Sequence, residues 1–230
     1  NEEKEIIKIK LDYEKKIQEQ RYLNLQLINN EIDSPSLDTL KKIKNYAIKN
    51  NFNINEVLSL FKTNNIFRAN FAKDPGKQSF HQKVAIDFIK QMQKVNKKET
   101  CLLPSGGKNS LYFIAGQLIS GEKITTNNKP KSIDFYIKTL SNKEIYCSHK
   151  YTKESGGAQD NQLGDIMKFM ENAKNLTSKN IFCLAILDGD YYSDKIFEIN
   201  NKYQTSNCKA ITIEELEANI MSIEGNSYRG

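Results

Sequence analysis

The chain has no tryptophan, and its four cysteines, Cys101, Cys147, Cys183 and Cys208, show no CxxC spacing. The missing spacing removes the usual zinc arrangement. Thiols set in or beside apolar, strand-like runs read as reduced core residues of a cytoplasmic protein rather than as disulfides. Two histidines, His81 and His149, support neither a Ser/His/Asp triad nor a histidine metal site. His81, with Gln82 beside it, is assigned to the surface. No apolar run approaches the length that crosses a bilayer and no signal peptide is visible, so no membrane partner is expected. The chain opens on Asn1 rather than Met, the mark of a fragment or a trimmed chain.

What is present is ordinary for a folded protein: 230 residues, 38% hydrophobic and 27% charged, enough for one substantial core and an appendage. The net charge of +6 permits a polyanion partner. It decides little alone, because a Lys- and Asn-rich, Trp-free composition also follows from AT-rich coding.

Residues 2–31 lack Gly and Pro and read as one long helix, with a weak stripe through Ile7, Leu11, Leu23 and Leu27. A second helix starts after Ser34-Pro35-Ser36 and aligns Leu37, Leu40, Ile43 and Ala47. The turn Asn50 to Asn53 leads to a third, from Ile54 to Lys62, with Val57, Leu58 and Phe61 inward. This helical segment, 1–72, is a linker, a dimerisation arm or a small DNA-binding unit. The break at Asn70 to Gly76 separates it from a second domain, 73–230.

In that domain Ser79 caps a helix to about Val95, with Phe80, Val84, Phe88 and Met92 buried. Apolar runs Thr100 to Leu103 and Leu111 to Ile119 flank the segment PSGGKNS, and a polar loop covers Gly121 to Lys131. Two strands joined at Leu140 to Lys143 follow, then a helix from about Asp160 to Ala173 with Leu163, Ile166, Phe169 and Met170 on one side. The unbroken apolar run Ile181 to Leu187 reads as a strand covered on both faces. A helix through Ile199, a strand Cys208 to Ile213 and a final helix complete the order. The fold class is α/β: a mixed β-sheet flanked by helices, with an N-terminal helical segment.

Side chains alternate along a strand, so Ser148 and Lys150 share a face while His149 points away. If the two strands form a hairpin, Asp134 joins Ser148 and Lys150 within reach of one ion. Phosphodiester hydrolysis needs an activated water and charge stabilisation, which carboxylate-held metal and a nearby lysine supply. Glu144 shares that face, but six residues along a strand is roughly 20 Å, too far for a ligand.

Asp134 followed by a strand with Ser148-His149-Lys150 resembles the PD-(D/E)XK nuclease superfamily, over residues 79–220. YTKESGGAQDNQLGDIMKFM, IFCLAILDGDYY and CKAITIEELE are similar to cleavage domains of type IIS restriction enzymes. The resemblance implies a restriction-endonuclease-like core, Mg²⁺, double-stranded DNA as substrate and a homodimer on DNA. It implies that Asp134 holds the metal and Lys150 orients the attacking water. Ile133 replaces the family's proline. Ser148 stands where the family has Asp or Glu, so the second ligand comes from the following helix: Asp160 first, then Glu154 or Asp165. Gln159 and Gln162 are the polar residues near the metal or scissile phosphate. Ser105, Lys108, Asn109, Tyr151, Lys153 and Asn161 are the expected DNA contacts. Two other readings stand beside this one: a nuclease fold that binds DNA without cutting, and an adenylating enzyme, since Ser105 to Ser110 looks like the SGGxDS loop of ATP pyrophosphatases with Asn109 for its Asp. That segment is not a Walker loop, because its glycine-to-lysine spacing is wrong. Lys123, Lys129, Lys131, Lys138, Lys143, Lys150 and Lys153 are expected to rim the site, with Tyr151 and Tyr192 near in sequence.

Overall fold

Short polar residues punctuate the N-terminal helices. Asp12 accepts from the Lys15 amide at 3.0 Å and opens α1 (Tyr13–Asn29). Ser36 does the same for α2 (Leu37–Asn50), and Asn53 for α3 (Ile54–Thr63). Asn51 ends α2 at φ 54, a left-handed conformation that asparagine tolerates. Asn64 caps the short α4 (Asn65–Arg68). In this computed structural model, residues 11–75, 78–124, 130–153 and 157–225 are described, without the side chains of residues 78 and 157–160.

The chain divides into two compact units, Asp12–Lys77 and the part from Gln78 onward. The first closes around Ile28, Ile43, Ala47, Val57, Phe61 and Phe71. Its helices bury different faces from those expected. In α1 the inward residues are Tyr13, Ile17, Asn24 and Ile28, while Leu23 and Leu27 are exposed. Asn24 is drawn in because its amide donates to the Lys73 carbonyl at 2.6 Å, and each neighbour in sequence sits about 100° round the helix. In α2, Thr39 joins Ile43 and Ala47 inside, held by the Ser36 cap, and Leu37 and Leu40 face solvent. Residues 2–10 of the long expected helix, Ile7 among them, lie outside the described residues.

The second unit is built on a five-stranded sheet. Its strands are β1 (Cys101–Leu102), β4 (Phe135–Lys138), β5 (Glu144–Tyr151), β6 (Ile181–Asp188) and β7 (Cys208–Ile211), adjacent in that order. β1, β4 and β5 pair antiparallel; β5, β6 and β7 pair parallel. Parallel neighbours need crossovers, supplied by α6 (Gly157–Ala173) and α7 (Lys195–Tyr203), and α8 (Ile213–Gly225) follows β7. The expected α/β architecture, a mixed sheet flanked by helices, is what forms. One face of the sheet packs Tyr146, Cys183, Ala185, Leu187 and Ala210 against Ile166, Phe169 and Met170 of α6 and Ile199 of α7. α5 (Gln78–Ile89) packs on β5 and α8 on β6.

Three local differences stand out. α5 ends at Ile89, short of Val95, and buries His81, Ala85, Ile86 and Ile89, leaving Phe80, Val84 and Phe88 half-buried. The apolar run Leu111 to Ile119 is a hairpin of β2 (Leu111–Ile114) and β3 (Gln117–Ser120). Its two-residue turn, Ala115 at φ 48 and Gly116 at φ 78, has the twist that such hairpins need. Gly189 follows β6 at φ +95, and a Cβ there would strike the Thr152 carbonyl oxygen.

Candidate active site

The hairpin that carries the site closes at Asn142, φ 65, and pairs Lys138 with Glu144 and Phe135 with Cys147. Asp134 directly precedes β4, so the same register sets it opposite Ser148. Its backbone is fixed from both sides: its N–H donates to the Cys147 carbonyl at 2.8 Å, and its carbonyl accepts from Leu103 at 2.9 Å. Its Oδ2 takes three donors, the His149 amide at 2.8 Å, Lys131 Nζ at 3.1 Å and Ser148 Oγ at 3.3 Å. The carboxylate thus replaces a main-chain acceptor where the ladder ends.

Lys150 is 8% exposed and Asp134 6%. Burial pushes the Lys150 ammonium down to about 8, and the neighbouring charge of Lys131 adds to the effect; Asp134 and Asp165 pull the other way. A cleft of about 510 Å³ opens beside them, lined by Asp134, Lys131, Asp165 of α6, Ser105, and Ser79 and Gln82 of α5. Its two carboxylates make an oxygen donor pair of the kind that suits a hard divalent cation keeping several waters. Among the described residues no group of three or more His, Cys, Asp or Glu is arranged around one point. The described residues thus offer a divalent cation the carboxylates of Asp134 and Asp165.

The other face of β5 is differently furnished. His149 is fully buried, stacks on Phe135 with centroids 5.2 Å apart, and places Nε2 3.3 Å from Asp188 Oδ2. Asp188 Oδ1 in turn accepts from the Ile213 amide at 2.8 Å, at the start of α8.

Ser148 stays at the site, and several other expected site residues fall elsewhere. Ser148 is fully buried and supports Asp134 through its hydroxyl. Gln162 is bound to Thr152 Oγ1 at 3.4 Å. Tyr151 packs edge-on against His81, centroids 4.9 Å apart, on the strand positions that alternate away from Lys150. His81 is consequently buried, not a surface residue, and Gln82 lines the cleft. Tyr192 lies in the core. Lys138 pairs with Glu144 and Lys143 reaches Asn180, at the opposite end of the β4–β5 ladder from Lys150. Among the described residues, the lysine of that rim paired with Asp134 is Lys131, with Lys150 near it. Lys108, Asn109, Lys153 and Asn161 are exposed. The segment Ser105 to Ser110 closes as a tight turn, with Ser110 Oγ donating to the Gly107 carbonyl at 2.6 Å. Glu154, Lys129 and the side chains of Gln159 and Asp160 lie outside the described residues. The sequence signal for Lys131 was its place three residues before Asp134, and for Asp165 its place on the helix after the Lys150 strand.

Comparison with family models, with curated proteins and with solved structures gives no match for this chain.

Proposed function

We propose that the chain is a Mg²⁺-dependent endonuclease that hydrolyses phosphodiester bonds of double-stranded DNA, of the PD-(D/E)XK restriction-enzyme kind. The observation that carries this reading is a buried carboxylate and a buried lysine, Asp134 and Lys150, on neighbouring β-segments beside a cleft with a second carboxylate. Asp134 and Asp165 would hold the metal, which supplies positive charge to the phosphate and acidity to a bound water. Asp165 is taken as the second ligand because it lines the cleft and its charge reaches Lys150; the side chain of Asp160 lies outside the described residues.

Lys150 has two uses near neutral pH. Lowered to about 8, it is charged in most molecules, where it steadies the phosphorane, and neutral in a minority able to accept a proton from the attacking water. Lys131 adds a second ammonium for the phosphate oxygens. Ser148 orients Asp134. Cutting both strands calls for two such sites, hence a homodimer on DNA.

The test is supercoiled plasmid incubated with Mg²⁺ and the full chain, beside Asp134→Ala and Lys150→Ala. Nicking that persists undiminished in either variant removes the proposal. A second reading, a DNA-binding domain without catalysis, draws support from the three donors already on Asp134 Oδ2 and from serine at the family's acid position. Retarded DNA in a gel with no nick in Mg²⁺ or Mn²⁺ selects it.

A further inference from the structure

The N-terminal unit presents a second surface. Three residues, Asn51 to Asn53, join α2 to α3, and Asn51 reverses the chain at once by taking φ 54, ψ 41. Ile43 and Ala47 of α2 meet Val57 and Phe61 of α3 in the core, with alanine permitting close approach. Two helices packed across so short a turn have the connectivity of a helix-turn-helix.

With Val57 and Phe61 inward, the opposite side of α3 carries Asn55, Ser59 and Lys62, all exposed. The spacing i, i+4, i+7 sets them in one stripe. These side chains match base edges in the major groove: asparagine suits adenine, lysine suits guanine and serine accepts either. Ile54, 44% exposed at the first position of α3, suits a thymine methyl, and exposed Glu56 suits a cytosine amino group. α2 supplies exposed Lys41, Lys44 and Lys49, while Lys42 is held by Asp38 at 2.8 Å. Such lysines complement phosphate and carry no sequence information.

We infer that α3 is a recognition helix that enters the major groove of duplex DNA and selects sequence, with the lysines of α2 on the backbone. The choice of duplex DNA as partner rests on the nuclease reading; the surface itself does not.

The experiment is selection from a pool of randomised duplexes by the full chain in Ca²⁺, wild type beside Asn55→Ala/Ser59→Ala/Lys62→Ala. The wild type is expected to enrich a short motif. The triple variant, with an unchanged melting profile, is expected to bind the unselected pool within a few-fold of wild type and to enrich none. A Lys41→Gln/Lys44→Gln/Lys49→Gln variant is expected to weaken binding to all sequences alike, the slope of its salt dependence falling by about 0.9 for each phosphate that is no longer neutralised. Three results overturn the inference: no motif from the wild type, the same motif from the triple variant, or a triple variant that changes only self-association. A wild type that enriches a motif and never cuts leaves the inference standing and removes the nuclease. One that cuts with a preference unchanged in the triple variant does the reverse.

Discussion

Lys131 Nζ lies 3.1 Å from Asp134 Oδ2, and the same ammonium lowers the proton affinity of Lys150. One cation thus touches the acid of the site and repels its other base. With both lysines charged, they balance Asp134 and Asp165 in formal charge.

Removing that repulsion shifts a titration. In Lys131→Met the Lys150 ammonium is expected to titrate above about 8, because the like charge is gone while Asp134 and Asp165 remain. Nitrogen-detected NMR of the lysine side chain measures this directly. A Lys150 titration that stays in place or falls contradicts the assigned cause.

Asp134 has a structural duty separable from its chemical one. Asp134→Asn keeps an oxygen for the His149 amide, whereas Asp134→Ala leaves that buried donor without it. The alanine variant is expected to lose about 1–3 kcal/mol, and the asparagine variant less. Both are expected to cut DNA at least about 100-fold more slowly, the scale of removing one electrostatic contributor. Thermal melts beside plasmid cleavage separate the two duties.

Lys150 makes stability depend on pH with a definite sign. Its folded value, about 8, lies below the ordinary 10.5. Between these two values the unfolded chain binds more protons, so stability rises with pH. The associated stabilisation is present above 10.5 and lost as pH falls through 8. Urea midpoints of the wild type should climb across that window, and those of Lys150→Met should climb less.

Metal affinity should follow the cleft carboxylates. Asp165→Asn is expected to weaken Mn²⁺ or Ca²⁺ binding about tenfold or more by calorimetry, and by more than Asp160→Asn does. The reverse order would return the second ligand to the start of α6.

Gly189 at φ +95 leaves no room for a Cβ against the Thr152 carbonyl. Gly189→Ala is expected to cost about 1–3 kcal/mol from backbone conformation, plus the displacement of that carbonyl. A melting temperature within a degree of wild type would show that the turn relaxes freely.

Much of the second unit was legible because apolar period and run length are local. β6 showed as an unbroken apolar stretch, and alternation along β5 separated Lys150 from His149 before any contact was known. What was illegible depended on distant partners. The choice of Asn24 over Leu23 as an inward residue of α1 was made by a carbonyl 49 residues away. The β2–β3 turn hid in an apolar run because Ala115, not a polar residue, takes the left-handed position beside Gly116. Lys131 precedes β4, so no strand period could aim its side chain at Asp134.

The chain His149–Asp188–Ile213 joins the back of β5 to the first turn of α8. Lys150 is the next residue after His149, so contacts reaching α8, which is absent from the described cleft lining, help to hold the strand from which it projects. Loosening α8 at Ile213 would slacken this tether and let the ammonium drift, dimming the site while every residue lining it stayed intact.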